Sequence, residues 1–246
     1  MKLPAGHRLI HFERIDSTNF EARRLAEGGE CGPLWIWSDE QTGGRGRLGR
    51  TWISEPGNLY VTFLFQTAAP GSAVAQISFV AALAVRELAS HLLPDHDFLL
   101  KWPNDVLMAG AKFCGLLAEV VGSGPTCIAL GCGINLAHAP AGTPYPVAAL
   151  GGQFAPGEVL PQLASSLSKW IEIWEEGRGF PAIRKAWLEK AAGLGKEVSV
   201  DGLIGLFEGI GTDGALLVAL SDGTRKQIHA GDVRFADIER MRSGKL

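Results

Sequence analysis

The hydrophobic positions of this chain follow helical spacing in four stretches. Two long stretches place apolar residues three or four positions apart, which predicts buried or amphipathic helices. A shorter stretch follows the capping residues Asp16 and Ser17 and stops at Gly28 and Gly29, which predicts a helix that ends near residue 27. The positions that carry these patterns are Phe20, Leu25 and Ala26; Val74, Ile77, Ala81, Ala84, Leu88 and Leu92; Leu160, Leu163, Leu167, Trp170, Ile171 and Trp174; and Phe180, Ile183 and Trp187.

Apolar runs between these helices predict strands that are covered on both faces. They read RLIHFERI, PLWIWSD, NLYVTFLF, DFLLKWPND, KFCGLLAEVV and TCIALGCGIN. Residues 137–157 have no periodicity, so we predict a long loop of the kind that often covers a binding site. After residue 196, three Asp-Gly pairs predict tight hairpins. We therefore predict an α+β fold, with a mixed β-sheet and packed helices in residues 1–193 and a small β-barrel in residues 194–246.

Composition narrows the class of protein. A chain of 246 residues with 46% hydrophobic and 20% charged residues is typical of a globular protein. The formal net charge of −3 argues against a general polyanion binder, so anion chemistry has to be local. The N-terminus shows no secretion signal and we find no apolar run of roughly 18 residues, so we expect a cytoplasmic protein without a membrane span. We expect the four cysteines, Cys31, Cys114, Cys127 and Cys132, to be buried reduced thiols.

One segment concentrates positive charge and backbone flexibility. Residues 43–52, which we call the Gly/Arg loop, read GGRGRLGRTW. The glycines allow a ligand to approach the backbone, the arginines suit phosphate or carboxylate, and Trp52 can cover a planar ring. The alternatives are a solvated surface loop or a short RNA-binding segment. The position between two apolar strands favours a ligand site.

Three further motifs follow strand ends. KWPND (residues 101–105) contains a cation, an aromatic ring, a rigid proline and two polar turn formers, and a plain turn explains it equally well. Lys112 precedes an apolar strand, where it is either a charge aimed at an anion or a lysine that extends to solvent. GCGIN (residues 131–135) lacks the third glycine of a dinucleotide fingerprint, and the chain has no P-loop and no nucleophile motif. Any catalysis would therefore depend on the positioning of substrates and on electrostatics.

Five segments in this order resemble the biotin protein ligases: DSTN at residues 16–19, GRGRLGRTW at 44–52, KWPND, KFCGLLAE and GCGIN. The resemblance implies a class II aminoacyl-tRNA synthetase-like catalytic core followed by an SH3-like barrel. It implies that biotin and MgATP form biotinyl-5′-adenylate, which then acylates a lysine of a biotin carboxyl carrier domain of acetyl-CoA carboxylase or a related carboxylase. Only 15 residues precede Asp16, so we expect the monofunctional class without an N-terminal DNA-binding domain and no DNA as a partner.

The resemblance also implies roles for individual residues. Lys112, Arg47 and Asp105 would be catalytic, with Asp105 either orienting Lys112 or helping to hold Mg²⁺, which otherwise binds through ATP. Biotin would contact Ser17, Thr18, Asn19, Gln41, Gly44, Arg45, Gly46, Arg47, Lys112, Gly115 and Gly133. ATP and the adenylate would contact Arg47, Arg50, Trp52, Asn104, Lys112 and Asn135.

Two rivals remain at this stage, a lipoate–protein ligase with the same chemistry and a non-enzymatic nucleic-acid-binding protein. The Gly/Arg loop together with KWPND favours biotin, and three arginines without a wider basic surface disfavour nucleic acid. In this interpretation the Gly/Arg loop covers the adenylate and keeps water away from it. The sequence leaves open whether the protein is a monomer or a homodimer.

Overall fold

The computed structural model describes residues 2–122 and 126–235. The chain begins with a strand, a helix and two further strands, then adds a long helix and a four-strand meander. Two helices and a second, smaller sheet follow. The elements are β1 (Arg8–Ile15), α1 (Thr18–Glu27), β2 (Leu34–Gln41), β3 (Leu59–Gln66), α2 (Ile77–Leu92), β4 (Phe98–Lys101), β5 (Asp105–Met108), β6 (Ala111–Val121), β7 (Cys127–Ile134), α3 (Pro156–Trp174), α4 (Phe180–Leu188), β8 (Glu197–Val200), β9 (Leu203–Ile210), β10 (Leu216–Ala219), β11 (Arg225–Ile228) and β12 (Val233–Phe235).

The larger sheet has seven strands in the order β1-β2-β3-β7-β6-β5-β4. The β1–β2 pair is parallel and the other pairs are antiparallel, so the sheet is mixed as predicted. β5 was not predicted as a separate strand. β4 and β5 have four residues each and are joined by the KWPND turn, and four residues are too few to show a clear periodicity.

The two faces of this sheet are covered differently. Alternate residues of each strand point to opposite faces. Ile128, Leu130, Val61 and Phe63 belong to the main core with α2, α3 and α4. Leu64 and Ala129 belong to a smaller apolar cluster with residues of α1. Because α1 has only ten residues, part of its face of the sheet is left uncovered beyond its N-terminus.

The long apolar helix is a core element. Residues Gly71–Leu92 have the length and hydropathy of a membrane span, but most of that window is buried inside the protein. It consists of a 3-10 segment (Gly71–Gln76) followed by α2. Packing against α3 and the sheet accounts for its apolar composition.

The smaller sheet is antiparallel and has the order β11-β10-β9-β8-β12. All three predicted Asp-Gly turns lie between its strands, and the last strand returns to pair with the first. Its apolar residues, among them Val198, Phe207 and Val218, belong to the same core cluster as α2 and α3. The second unit is therefore packed firmly onto the first. The end predicted for the barrel, beyond residue 235, lies outside the described residues.

The cysteine prediction is right for one pair and wrong for the other. Cys114 and Cys132 are free and buried. Cys31 and Cys127 form a disulfide, with their Cα atoms 5.7 Å apart, although they are 96 positions apart in sequence. The bond forms because the segment before β2 passes beside the first residue of β7, a proximity that sequence spacing does not reveal.

Candidate functional site

A cleft opens on the α1 face of the larger sheet, beyond the N-terminus of the helix. The space inside it is about 730 Å³ with its open mouth included. All predicted site residues except Gly44 and Asn135 line it. They are Ser17, Thr18, Asn19, Gln41, Arg45, Gly46, Arg47, Arg50, Trp52, Asn104, Asp105, Lys112, Gly115 and Gly133.

One end of the cleft is polar and uncharged. Gln41 Oε1 accepts hydrogen bonds from the Thr18 backbone N–H (2.8 Å) and from the Thr18 hydroxyl (3.1 Å). Gln41 Nε2 donates to Ser54 Oγ, which in turn donates to the Trp52 carbonyl. This network joins the start of α1 to the base of the Gly/Arg loop.

Two glycines provide a flat floor in the middle of the cleft. Gly115 on β6 pairs with Gly133 on β7, and the Trp52 ring lies over both. A Cβ atom added to Gly133 would lie 2.5 Å from the Trp52 ring, and one added to Gly115 would lie 2.7 Å from it. Trp52 Nε1 is buried and has no hydrogen-bond partner among the described residues. A side chain at residue 115 or 133 would collide with the Trp52 ring. The ring can therefore lie flat on the sheet only because both residues are glycines.

The other end of the cleft is charged. Lys112 Nζ lies 2.7 Å from Asp105 Oδ1, and both side chains are largely buried. Burial alone would lower the pKa of Lys112, but its contact with the Asp105 carboxylate outweighs that effect and raises the pKa above the usual value. The ammonium group also lies 5.2 Å from the Trp52 ring centroid and 5.5 Å from that of Tyr145. Lys112 is therefore a fixed positive charge inside the cleft.

Two arginines of the Gly/Arg loop reach across the cleft to other segments. Arg47 Nη1 donates to Asn104 Oδ1 (3.3 Å) and to the Gly231 carbonyl (3.5 Å). Burial lowers the pKa of Arg47, although nearby carboxylates offset part of this effect and the side chain stays charged. Arg50 forms an ion pair with Asp232. The smaller sheet thus completes one wall of the site.

Lys101 is a further cation beside the site, although it is not among the residues that line the cleft. Its ammonium lies 5.8 Å from the Phe235 ring. Burial lowers the pKa of Lys101, and attraction to Asp105 and Asp232 works against that shift. The first residue of the KWPND motif therefore belongs to the same group of charges as Lys112 and Arg50.

Gly44 and Asn135 do not line the cleft, and their contacts are with other parts of the protein. A Cβ on Gly44 would lie 2.4 Å from the Trp52 carbonyl oxygen, so this glycine allows the loop to close on itself. Asn135 is buried, and its side-chain amide donates to the Ala148 carbonyl in the loop before α3. The predicted contacts of these two residues with ligand remain predictions.

Several residues that line the cleft were not among the individual site residues predicted from the sequence, although residues 137–145 were expected to cover the adenylate. Tyr145 comes from the predicted long loop, which pairs with β6 where Val147 meets Lys112. Tyr60, Gly131 and Cys132 come from buried strands. The spacing of Gly131 and Gly133 was a usable signal, because glycines two apart in a strand expose backbone on the same face. Burial raises the pKa of Cys132 to about 12, which leaves its thiol protonated and unsuited to nucleophilic attack.

Among the described residues, no group of three or more His, Cys, Asp or Glu side chains could hold a metal ion. Asp105 and Asp232 are the two carboxylates that line the cleft, and each is paired with a cation. A divalent ion here would need most of its oxygen ligands from water and from a bound phosphate chain.

Comparisons with known proteins agree with this geometry. Residues 12–135 match the model of the Biotin/lipoate A/B protein ligase family, and residues 193–235 match that of the Biotin protein ligase C terminal domain. The chain is 40% identical to a biotin–[acetyl-CoA-carboxylase] ligase of Paracoccus denitrificans over 238 residues, which cover 90% of this chain and 98% of the relative. A bifunctional ligase/repressor of Bacillus subtilis is 29% identical, over 94% of this chain and 74% of its own length.

A solved structure is similar over nearly the whole chain. It is the biotin protein ligase of Aquifex aeolicus in complex with biotin and ATP, with a TM-score of 0.78 and 28% identity over 92% of this chain and 97% of the other. The two family models together span both sheets, and the extent of the Paracoccus match leaves no large part of the relative uncovered. The chain belongs to the biotin protein ligase family.

Proposed function

We propose that the cleft binds biotin and ATP side by side, that the enzyme forms biotinyl-5′-adenylate there, and that it transfers the biotinyl group to a carrier lysine. The observation that carries this proposal is the division of one cleft into an uncharged polar end and a cationic end. Biotin has the same division, with a neutral ureido ring at one end and a carboxylate at the other. The relatives named above are ligases for biotin, which disfavours lipoate as the substrate.

The uncharged end suits the ureido ring. That ring offers one carbonyl acceptor between two N–H donors, so its pocket needs both donors and acceptors. Ser17, Thr18, Asn19 and Gln41 supply hydroxyl and amide groups of both kinds. The Trp52 ring lies over Gly115 and Gly133, so the thioether ring and the valeryl chain would reach Lys112 across this floor once the Gly/Arg loop moves the ring aside.

The cationic end brings two anions together. A biotin carboxylate oxygen attacks the α-phosphorus of ATP, the bond from that phosphorus to the bridging oxygen breaks, and pyrophosphate leaves. Lys112 would lie between the carboxylate and the α-phosphate, with Arg47 and Arg50 on the phosphate chain. Their charges reduce the repulsion between the reactants and stabilise charge that develops on the phosphate oxygens.

The nucleotide ring would lie against Trp52. The indole N–H of Trp52 lacks a partner among the described residues, and a ligand acceptor would satisfy it. Asn104 is the amide nearest the charged end, where its Oδ1 accepts from Arg47. Asn135 donates a hydrogen bond to the Ala148 carbonyl. It would contact the adenine only if the segment around Ala148 moved.

Magnesium would enter with the nucleotide. The two carboxylates that line the cleft, Asp105 and Asp232, are each paired with a cation near the position proposed for the phosphates, which suits an ion that keeps several waters and binds phosphate oxygens. The ion supplies charge neutralisation of the triphosphate when bound. Asp105 itself holds Lys112 in place, and this role does not depend on the metal.

The second step transfers the acyl group. The carrier lysine amine attacks the acyl carbon of the adenylate, AMP leaves, and the amine loses a proton as the amide forms. The Gly/Arg loop would cover the mixed anhydride until then and keep water out. We propose a carboxylase carrier domain as the acceptor, following the name of the Paracoccus relative.

A thermal-shift experiment tests the assignment. Biotin with MgATP should raise the unfolding midpoint more than biotin alone, because the tightly held adenylate forms in the cleft. Lipoate with MgATP and a duplex oligonucleotide should give no comparable shift. With a carrier domain added, mass spectrometry should show one biotin on one lysine. Transfer of lipoate in place of biotin would overturn the proposal.

A further inference from the structure

The loop before α3 places an aromatic side chain at the charged end of the cleft. Tyr145 lines the cleft, and its ring centroid lies 5.5 Å from Lys112 Nζ. The residue is 36% exposed, so it lies at the mouth of the cleft instead of on its floor. Neither step of the proposed reaction uses this side chain.

The backbone next to Tyr145 is bonded to the backbone of Lys112 itself. The Lys112 N–H donates to the Pro146 carbonyl (2.9 Å), and the Ala148 N–H donates to the Lys112 carbonyl (2.9 Å). On the other side, the Thr143 hydroxyl donates to the Tyr145 carbonyl (2.7 Å). Because Tyr145 directly precedes Pro146, these bonds hold the start of its side chain beside Lys112.

The Tyr145 phenol group is close enough to two cations of the site to affect the pKa of each. Hydrogen bonding to Asp232 raises the pKa of Arg50 most, and Tyr145 adds to this rise. Burial lowers the pKa of Lys112, the Asp105 carboxylate more than offsets burial, and Tyr145 acts in the same direction as Asp105. The phenol group therefore lies near both Lys112 and Arg50, the cations proposed to bind phosphate.

A phenol hydroxyl has the chemistry that this position needs. It donates one hydrogen bond and adds no charge to the site. The unesterified oxygens of a phosphate group point in different directions, so one can accept from Lys112 while another accepts from Tyr145. A hydrogen bond to such an anionic oxygen is stronger than one between neutral groups.

We propose that Tyr145 is a further ligand-binding residue, whose hydroxyl group donates a hydrogen bond to the α-phosphate of ATP and of the adenylate. This inference rests on the proposed function, because it uses the position given there to the phosphate. The α-phosphate stays in the ligand after pyrophosphate leaves. The hydrogen bond therefore helps to retain the adenylate in the cleft until the carrier lysine arrives.

Tyr145→Phe tests the inference, because it removes the hydroxyl group and keeps the ring. Two synthetic ligands serve as probes: biotinyl-5′-adenylate, and an analogue without phosphate in which an amide joins biotin to 5′-amino-5′-deoxyadenosine. We expect Tyr145→Phe to bind the adenylate about tenfold more weakly, the scale of losing one hydrogen bond to a charged group. Its affinity for the analogue should equal that of the wild type. Equilibrium titration of each ligand measures both effects without any turnover.

Two further variants separate the hydroxyl group from the ring. Tyr145→Leu removes both, so it should lose at least as much affinity for the adenylate as Tyr145→Phe. If only Tyr145→Leu loses affinity, the ring merely covers Lys112 and the inference is wrong. Trp170→Phe is the matched control, because it removes a polar donor from an aromatic side chain on α3 that bonds to Glu87 Oε2 and does not line the cleft. It should bind both ligands like the wild type.

The outcomes separate this inference from the proposed function. Wild-type protein that does not bind biotinyl-5′-adenylate contradicts the function. If wild-type protein binds it, three results overturn the inference alone: an unchanged affinity for the adenylate in Tyr145→Phe, equal losses for the adenylate and the analogue, or an insoluble Tyr145→Phe, which would assign the hydroxyl group to folding. Normal adenylate binding with slow transfer to the carrier would assign Tyr145 to the carrier domain instead.

Discussion

Arg50 of the Gly/Arg loop and Asp232, the residue before β12, form an ion pair, although they are 182 positions apart in sequence. Burial alone would raise the pKa of Asp232, but contact with Arg50 outweighs it and lowers the pKa below the usual value. Arg50 is also proposed to bind phosphate, so the Asp232 carboxylate and the nucleotide phosphate compete for the same guanidinium group. The pair therefore links loop position to ligand binding.

Replacing Asp232 with Asn should loosen the Gly/Arg loop in the ligand-free protein. A partly exposed ion pair contributes up to about 1 kcal/mol, so amide hydrogen exchange over residues 43–52 should be up to about fivefold faster. With biotin and MgATP bound, exchange should return to the wild-type rate because phosphate replaces the carboxylate at Arg50. The same exchange rate in wild type and Asp232→Asn without ligand would contradict a tethering role. Glu208→Gln, which breaks the Arg225–Glu208 pair on the surface of the smaller sheet, is the control.

Lys112→Gln should slow adenylate formation by about 10² or more, the scale of losing one preorganised charge contact. Biotin binding without ATP should weaken less, because the uncharged end of the cleft is unchanged. Pyrophosphate exchange measures the first effect and calorimetry the second. Lys169→Gln, at a surface pair with Glu87, is the control. Near-normal adenylation in Lys112→Gln would remove Lys112 from the mechanism.

The contribution of Lys112 to the free energy of unfolding should change only at alkaline pH. Its pKa is raised in the folded protein, so the contribution is complete below the usual pKa, about 10.4, and is lost as pH rises through the higher folded value. The difference in free energy of unfolding between wild type and Lys112→Gln should stay constant from about pH 7 to pH 10. Denaturant unfolding at several pH values measures it. A difference that shrinks near pH 8 would mean that the Asp105 contact does not raise the pKa.

Gly133→Ala should displace Trp52 without unfolding the sheet. The added methyl group would lie 2.5 Å from the indole ring, and the loop that carries Trp52 can move more easily than β7. We expect a KM for biotin about tenfold higher or more, faster exchange over residues 43–52, and an unfolding midpoint within a few degrees of wild type. Gly71→Ala, where φ is not positive and no atom lies within 4 Å of the added Cβ, is the control for replacing a glycine by alanine. An unchanged KM would show that the floor tolerates a side chain.

The Cys31–Cys127 disulfide closes a long loop and should stabilise the fold. Its loss typically costs about 2–4 kcal/mol. Cys31→Ser should therefore lower the unfolding midpoint of oxidised protein and leave that of dithiothreitol-treated protein unchanged. Mass spectrometry of protein that is unfolded in denaturant and alkylated without reduction should detect two free cysteines in the wild type, because Cys114 and Cys132 become accessible on unfolding. Four alkylated cysteines would show that the bond does not form in solution.

The sequence by itself predicted most of the elements and most of the residues that line the cleft. Helical spacing located α1 to α4, the Asp-Gly pairs located the hairpins of the smaller sheet, and five ordered motifs identified the family. Lys112, Arg47 and Gln41 could be predicted as neighbours only because those motifs occur together. Each of these signals lies within a short segment, where local periodicity and turn chemistry decide the structure.

The tertiary structure decided which residues of the apolar strands belong to the site. Tyr60 and Cys132 line the cleft but are ordinary strand residues in sequence, because periodicity shows that alternate positions share a face but not which face α1 covers or which residues lie opposite across the sheet. The contacts of Asp232 with Arg50 and of Cys31 with Cys127 depend on the packing of segments that are distant in the chain. Long-range proximity of this kind results from the shared core of the two sheets, and no short segment encodes it.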